Sequence, residues 1–181
     1  TMLNLVSRLS GIATLTGRYI DAIRDAGADP DRVRLLDTRK TTPGHRLIEK
    51  YAVRCGGGDS HRIGLHDAVL VKDNHIAMAP RGLEGVLEAL STARDRFDLQ
   101  FVEIEVDSLA QFETILKAEQ NTPRLVDIVL LDGVGSRILL EASGGITLDT
   151  IGKIALTSVD RISTGAITHQ ARSVDFGLDA G

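Results

Sequence analysis

The sequence predicts an α/β fold: an incomplete, open parallel β/α barrel of about six strands, in one domain spanning residues 1–181. Short apolar runs bounded by turn residues alternate with longer segments of helical periodicity, as βα units require. Polar residues follow each apolar run, where barrels and doubly wound open sheets both carry their functional groups. Charged residues also lie within one run, at Glu103 and Glu105, which favours a barrel whose lumen opens on a site.

The first elements follow from apolar spacing and from glycines. In residues 3–23, apolar side chains recur at three- and four-residue steps, so we expect an amphipathic helix, broken near Gly11 or Gly17. The loop "DAGADPDR" ends this helix. A strand at residues 33–36 and a helix from about residue 44 to residue 54 follow.

The second half of the chain contains one spacing that conflicts with a parallel sheet. Its strands are predicted in "AVLVK", "QFVEIEV", "LVDIVLLD", "ILLEASGG" and "VDRISTGAI", with the helices "GLEGVLEALSTARDRF", "SLAQFETILKAEQ" and "TLDTIGKIALTS" between them. Only residues 133–137 separate "IVLLD" from "ILLEASGG". Because parallel neighbours need a crossover of about a dozen residues, we expect that a crossover helix is missing near 133–137.

Composition excludes several classes of protein. The net charge of −4 argues against a general nucleic-acid binder, although it allows a local basic pocket. The single cysteine, Cys55, permits no internal disulfide, which fits a reducing cytoplasm. No apolar run is long enough to cross a membrane, and the first residues do not form a secretory signal.

Cations are concentrated at the predicted strand ends. One basic residue is usually solvated surface, but here several occupy different loops: Arg39, Lys40, Arg62 and Lys72, with His61 and His75 beside them. Arginine forks and lysine point charges on separate loops indicate a ligand with several negative charges. The acids Asp73, Glu103, Glu105 and Asp132 offer either ion-pair partners or ligands for Mg²⁺, which prefers carboxylates together with substrate phosphates.

Two small-residue turns suggest a phosphate site. "ASGGIT" and "STGAIT" each follow a strand, and the first precedes a predicted helix. Exposed amides with no Cβ in the way suit a phosphate, although a tight βα turn explains the same residues. Consecutive turns of this kind on the last two strands match the usual phosphate site of β/α barrels.

Long blocks of the chain resemble the nicotinate-nucleotide pyrophosphorylases (carboxylating), also called quinolinate phosphoribosyltransferases. The blocks are "LNLVSRLSGIATLT", "LLDTRKTTPG", "DAVLVKDNHI", "VEIEVDSL", "LLEASGGITLDTI" and "DRISTGAIT". The resemblance implies a type II phosphoribosyltransferase of de novo NAD biosynthesis. Such an enzyme converts quinolinate and phosphoribosyl pyrophosphate to nicotinate mononucleotide, pyrophosphate and CO₂ with Mg²⁺. It also implies a cytoplasmic homodimer or higher homo-oligomer whose site is completed by the neighbouring subunit.

The same resemblance implies roles for individual residues. Those expected at the quinolinate carboxylates are basic: Arg39, His61, Arg62 and Lys72. Those expected at the 5′-phosphate of the donor are small or basic: Ser143, Gly144, Gly145, Gly165 and His169. Lys40 is expected between the two substrates, and Glu105 and Asp132 on the ribose and Mg²⁺ side of the donor, which makes these three the catalytic candidates.

The chain departs from this family in ways that leave alternatives open. Family members carry an N-terminal α/β domain of roughly a hundred residues, a domain-sized piece, which this sequence lacks. The family's "ERT" arginine, which reaches the neighbouring subunit's site, belongs to the part before Thr1, and "LLDN" is replaced by "LLDG". We therefore expect the isolated chain to have weak activity or none. The alternatives are a non-catalytic barrel fragment and a paralogue acting on another pyridine or nucleobase, although a monocarboxylate would not need three clustered cations.

Overall fold

The computed structural model describes residues 2–130 and 138–178. In these ranges the helices are α1 (Met2–Asp25), α2 (Arg46–Cys55), α3 (Asp73–Met78), α4 (Gly82–Arg96), α5 (Leu109–Asn121), α6 (Leu148–Ala155) and α7 (Ala166–His169). The strands are β1 (Arg34–Leu36), β2 (Val69–Val71), β3 (Val102–Glu105), β4 (Ile128–Leu130), β5 (Leu139–Ser143) and β6 (Arg161–Ser163). Within the same two ranges, no helix has both the length and the apolar character needed to cross a bilayer.

The predicted α/β class and strand number are confirmed. Six strands form a parallel sheet in the order β1-β6-β5-β4-β3-β2. The order is linear, so the sheet is open. The chain divides into two compact units, one formed by the residues up to Ile63 together with those from Ser143, and the other by Gly64–Ala142.

The first unit packs α1, α2, α6 and α7 around β1 and β6. Its core is aliphatic with one tyrosine, and its most buried members include Ile12, Tyr19, Ile23, Leu35, Val53, Ile151, Ile162 and Ile167. Each buried side chain of this size contributes roughly 1.5–3 kcal/mol relative to an exposed one. With few aromatics available, the core depends on close packing of branched residues.

The expected break in the first helix is wrong, because α1 is continuous for 24 residues. Its glycines permit close approach instead of ending the helix. A Cβ built on Gly11 would lie 1.9 Å from the carbonyl oxygen of Arg172, and one on Gly17 would lie 3.8 Å from that of Gly56. At the end of α2, a Cβ on Gly56 would lie 2.4 Å from the oxygen of Ala13. Gly11 and Gly56 therefore allow α1 to contact its neighbours backbone to backbone, whereas a Cβ at Gly17 would make only an ordinary van der Waals contact.

The second unit contains β2, β3, β4 and most of β5. Its strands pair in parallel with Val71 opposite Ile104 and Val129 opposite Leu140. Its apolar cluster includes Leu87, Ile104, Phe112, Ile115 and Val129 from both strands and helices. The parallel pairing of β4 with β5 agrees with the expected strand direction. Residues 131–137 lie outside the described residues, so the missing crossover helix near 133–137 and the placement of Asp132 stay predictions.

Candidate active site

In the first unit, the segment after β1 lies beside the segment after β6. The two strands pair with Leu36 opposite Ser163, and the Thr164 amide donates to the Leu36 carbonyl at 3.1 Å. The Thr168 hydroxyl donates to the carbonyl oxygen of Lys40 at 2.7 Å. A Cβ on Gly165 would lie 3.0 Å from Cδ of Lys40 and 3.0 Å from Cδ2 of His169. The fold thus brings together three of the residues predicted on the donor side.

The turn after β5 joins the same face of the unit. The Ser163 hydroxyl donates to the Ser143 hydroxyl at 3.0 Å, and Thr164 Oγ1 donates to the Ile146 carbonyl at 3.4 Å. Gly144 and Gly145 have φ angles of +87° and +60°, which side chains rarely adopt, and open space surrounds the position of each absent Cβ. The turn of Gly144 and Gly145 therefore presents backbone amides with room for an oxyanion, and it lies beside the more closely packed turn at Gly165.

Arg39 is the half-buried cation at the end of β1. Its Nε is buried, and among the residues that the structure describes no acceptor lies within hydrogen-bonding distance of it. An unsatisfied buried donor costs about 1–3 kcal/mol, more when it is charged. Lys40, the next residue, is exposed to solvent. An anion that accepted from Arg39 Nε would remove this penalty, so the residue is poised for a carboxylate or a phosphate.

The segment that carries His61 and Arg62 is fixed to the end of β1 by a buried ion pair. Lys50 Nζ donates both to Asp37 and to the carbonyl oxygen of His61, the latter at 3.1 Å. The His61 amide donates to Oδ1 of the same Asp37 at 2.8 Å, and the Arg62 amide donates to His61 Nδ1 at 2.8 Å. Burial raises the pKa of Asp37, while Lys50 and the His61 amide oppose that shift.

A second contact joins the two basic segments through a side chain that sequence reasoning missed. The guanidinium of Arg46 donates to the carbonyl of Ile63 at 3.1 Å and to that of Arg39 at 3.5 Å. On the same helix, Lys50 is only 3% exposed, whereas Leu47 and Tyr51 are 68% and 59% exposed. Helix α2 thus buries the charged Lys50 and exposes the apolar Leu47 and Tyr51, the reverse of the usual arrangement. No pattern in the sequence of this helix signals that inversion.

In the second unit, Lys72 and Glu105 lie at the ends of adjacent strands. Lys72 follows β2 and Glu105 ends β3, and Lys72 Nζ lies 3.8 Å from Glu105 Oε2. Both side chains are partly exposed, whereas Glu103, two residues earlier on β3, is fully buried. The Lys72 amide donates to His75 Nδ1 at 2.9 Å, which orients the first turn of α3. The structure therefore places an accessible cation and an accessible carboxylate together.

Comparisons with known proteins identify the family of this chain. The model of the quinolinate phosphoribosyl transferase C-terminal domain matches residues 12–179. The chain is 41% identical to the nicotinate-nucleotide pyrophosphorylase [carboxylating] of Mycobacterium leprae, covering 99% of this chain and 63% of that protein. It is 36% identical to quinolinate phosphoribosyltransferase [decarboxylating] 1b of Nicotiana tabacum, covering 98% of this chain and 55% of that protein.

A solved structure gives the same result. The crystal structure of NadC from Streptococcus pyogenes superposes with a TM-score of 0.81 at 40% identity, covering 98% of this chain and 62% of that one. The chain therefore spans between half and two thirds of the length of these relatives. On the family match and on the identity along nearly its whole length, the chain belongs to the quinolinate phosphoribosyltransferase family and corresponds to its C-terminal domain.

Proposed function

We propose that the protein transfers a phosphoribosyl group from phosphoribosyl pyrophosphate to quinolinate with loss of CO₂. The products are nicotinate mononucleotide and pyrophosphate, and the reaction belongs to de novo NAD biosynthesis. The names of the relatives support this proposal. The structural observation that carries it is the buried Nε of Arg39, which has no hydrogen-bond partner among the described residues, next to Lys40 and in the unit that also contains the open turn of Gly144 and Gly145.

Quinolinate is a dianion, and the proposed pocket supplies cations for its carboxylates. Arg39 offers a planar fork that matches a carboxylate, and its Nε is the unsatisfied donor. His61 and Arg62 are held next to the end of β1 by the buried pair of Asp37 and Lys50. Lys72 is proposed as a further cation for quinolinate. A monocarboxylate would not require so many positive charges.

The phosphoribosyl donor is proposed to bind along the glycine turns. The amides of Ser143, Gly144, Gly145 and Gly165 would hold its 5′-phosphate, with His169 beside them. Lys40 would lie between donor and acceptor, because it is exposed and its stem packs beside Gly165. Glu105 and Asp132 would take the ribose and the metal side of the donor.

The proposed reaction needs orientation and electrostatics more than proton transfer. The quinolinate ring nitrogen attacks C1 of the ribose as pyrophosphate leaves, and positive charge develops on the ribose. A nearby carboxylate such as Glu105 stabilises that charge, and Lys40 stabilises the leaving group. After transfer, the bond from C2 to its carboxylate breaks with loss of CO₂; the adjacent pyridinium charge stabilises the electron pair left on C2, and that carbon then takes a proton from water.

Magnesium is the metal that we propose for this site. The fit rests on Glu105, whose side chain is 38% exposed and whose Oε2 lies 3.8 Å from Lys72 Nζ, so that the carboxylate is accessible to an ion. Mg²⁺ usually takes one or two carboxylates, several waters and substrate phosphates. Glu105 and Asp132 would hold the ion mainly through water and through the donor. Bound there, the metal would neutralise charge on the leaving pyrophosphate.

Oligomeric state and location stay predictions. We propose a homodimer or higher homo-oligomer in which a neighbouring subunit completes the site. The exposed apolar residues Met2 and Val6 near the start of α1, 82% and 46% exposed, support a contribution of this helix to the interface. A cytoplasmic location is supported by the single free thiol of Cys55.

A non-catalytic domain is the second candidate. The alignment with the M. leprae relative runs over 194 positions although the chain has 181 residues, so that relative has residues without a counterpart here. A domain that binds the phosphoribosyl donor without turning it over would account for this difference.

Turnover separates the two candidates. We would purify the complete product of the gene and, separately, the chain of residues 1–181, and supply each with quinolinate, donor and Mg²⁺. We expect the complete product to release nicotinate mononucleotide, pyrophosphate and CO₂ in equal amounts. Nicotinate in place of quinolinate serves as the control acceptor. Turnover of nicotinate alone would identify a paralogue, and donor binding without any turnover would support the non-catalytic domain.

A substitution at Gly165 tests the donor side of the proposed site. An alanine methyl group there would lie about 3.0 Å from both Lys40 and His169, so those side chains must move apart. We expect Gly165→Ala to raise KM for the donor about fivefold, equivalent to roughly 1 kcal/mol, with little change in KM for quinolinate. Gly177→Ala is the matched control, because no atom lies within 4 Å of the added methyl. An unchanged KM for the donor would contradict the placement of Lys40 and His169 at the phosphate.

A further inference from the structure

A buried ion pair in the first unit connects four separate segments of the chain. Glu49 on α2 is fully buried, and Arg8 on α1 donates to its Oε1 from Nε at 3.2 Å and from a terminal nitrogen at 3.1 Å. These contacts join residues that are 41 positions apart in the sequence. A buried pair of this kind is costly to form unless further hydrogen bonds satisfy both groups.

Glu49 also accepts hydrogen bonds from the segment that carries Arg39 and Lys40. The amide of Thr42 donates to Glu49 Oε2 at 3.1 Å, and the Thr42 hydroxyl donates to Oε1 at 2.7 Å. Thr42 is two residues beyond Lys40. The carboxylate of Glu49 thus receives donors from the basic segment on one side and from Arg8 on the other.

Arg8 also donates hydrogen bonds to the turn after β6. Its guanidinium donates to the carbonyl oxygen of Thr168 at 2.7 Å and to that of Ala171. Thr168 is the neighbour of His169 and closes a turn on Gly165, whose carbonyl accepts from the Thr168 amide at 3.1 Å. Arg8 therefore binds the segment that carries the other half of the donor-side residues.

The quinolinate-side residues have a different support. His61 and Arg62 are held by Asp37 and Lys50, and Arg46 links Ile63 to Arg39. Within the residues that the structure describes, the side-chain hydrogen bonds of Arg8 and Glu49 go to each other, to Thr42 and to the carbonyls of Thr168 and Ala171, and not to residues 59–63. The two ion pairs thus support two different parts of the proposed site.

We propose that Arg8 and Glu49 are positioning residues that hold Lys40 at a fixed distance from Gly165 and His169. Neither residue touches a substrate in this proposal. Their effect falls mainly on the affinity for the phosphoribosyl donor. Residues 166–171 carry only donor-side residues, and Arg39, which shares a segment with Lys40, is also held at its carbonyl oxygen by the Arg46 guanidinium. This inference takes the identity of the donor, phosphoribosyl pyrophosphate, from the proposed function.

Kinetics on the complete gene product test the inference. We expect Glu49→Gln and Arg8→Met each to raise KM for the donor about tenfold, with KM for quinolinate changed less than about twofold. Arg8→Lys keeps the charge but loses part of the fork, so its KM for the donor should be intermediate. Arg24→Met is the matched control on the same helix, because the Arg24–Asp21 pair is solvent-exposed and should leave both KM values unchanged.

Hydrogen exchange gives a readout that does not depend on turnover. In Glu49→Gln, the Thr42 amide faces a side-chain amide instead of a carboxylate oxygen. Exchange should therefore accelerate in the peptides covering residues 40–45 and 166–171 together, while residues 59–63 keep their protection. Equal increases in both KM values, or faster exchange in all peptides, would show that the Arg8–Glu49 pair only stabilises the fold as a whole. Either result would overturn the inference. Absence of turnover in the unmodified protein would instead overturn the proposed function.

Discussion

Replacement of Lys50 by methionine is expected to lower the free energy of unfolding by about 3–5 kcal/mol, the usual cost of removing one partner of a buried ion pair. Lys50 is 3% exposed and Asp37 is fully buried. Without Lys50, the His61 amide is the hydrogen-bond donor that remains for the Asp37 carboxylate among the described residues. Urea unfolding of the variant and the unmodified protein at neutral pH would measure the loss.

The loss of unfolding free energy in Lys50→Met should depend on pH, in a direction set by the pKa of Asp37. Burial raises the pKa of Asp37 above its ordinary value of 3.8, and Lys50 is the chief opposing influence. The folded carboxyl thus holds its proton to a higher pH than the unfolded one. Its contribution to stability is full below the unfolded pKa and declines as pH rises through the folded pKa. Lys50→Met raises that folded pKa further, so the destabilisation should be largest near neutral pH and shrink on acidification.

Two control variants separate the buried pair from a general effect of losing a lysine. Lys153→Met replaces an exposed lysine on α6 and should change stability by less than about 0.5 kcal/mol. The double variant Asp37→Asn with Lys50→Met removes both charges and keeps an acceptor for the His61 amide, so it should recover part of the loss. If Lys50→Met were no more harmful than Lys153→Met, the buried pair would not stabilise the fold.

Replacement of Arg39 by alanine should affect quinolinate far more than the donor. Hydrogen bonds between charged groups contribute about 1.5–3 kcal/mol, so KM for quinolinate should rise about 10- to 150-fold. KM for the donor should change only a few fold, because Lys40 and the glycine turns remain. Initial rates with each substrate varied in turn, on the complete gene product, would measure both constants.

The matched control for Arg39 is an exposed arginine of the same unit. Arg32 lies in the loop before β1 and is exposed, so Arg32→Ala should leave both constants unchanged. Arg39→Lys should recover little of the affinity, because an ammonium group cannot reproduce a planar fork. An equal loss of affinity for quinolinate and donor in Arg39→Ala would reject the proposed role of this residue.

The strands and the polar residues that follow them were predictable because both signals are local. Apolar runs such as "AVLVK" and "VEIEV" match buried strands, and the functional groups follow from chain direction alone. Helix α1 was predicted as broken because Gly11 and Gly17 read as helix breakers. The backbone that Gly11 approaches, at Arg172, is distant in the sequence, so no local pattern could reveal that this glycine serves backbone packing.

The supports of the candidate site were not predictable for a similar reason. Glu49 and Lys50 sit in "RLIEKYAVRC", where charged residues read as the solvated face of a helix. Only the tertiary structure shows that they face Thr42, Arg8, Asp37 and the His61 segment. Short helices such as α3 and α7 were also missed, since four to six residues give too little periodicity to recognise. The placement of Asp132 lies outside the described residues.

The pairing of β1 with β6 has a consequence for synthesis of the chain on the ribosome. The first unit is discontinuous, because residues up to Ile63 belong with those from Ser143, and the second unit is made in between. At about 5–20 residues per second, β1 must wait on the order of 10 s before β6 emerges. The second unit, made of contiguous residues, can fold during that interval. The nascent segment with Arg39 and Lys40 therefore stays open to chaperones and proteases until β6 has emerged.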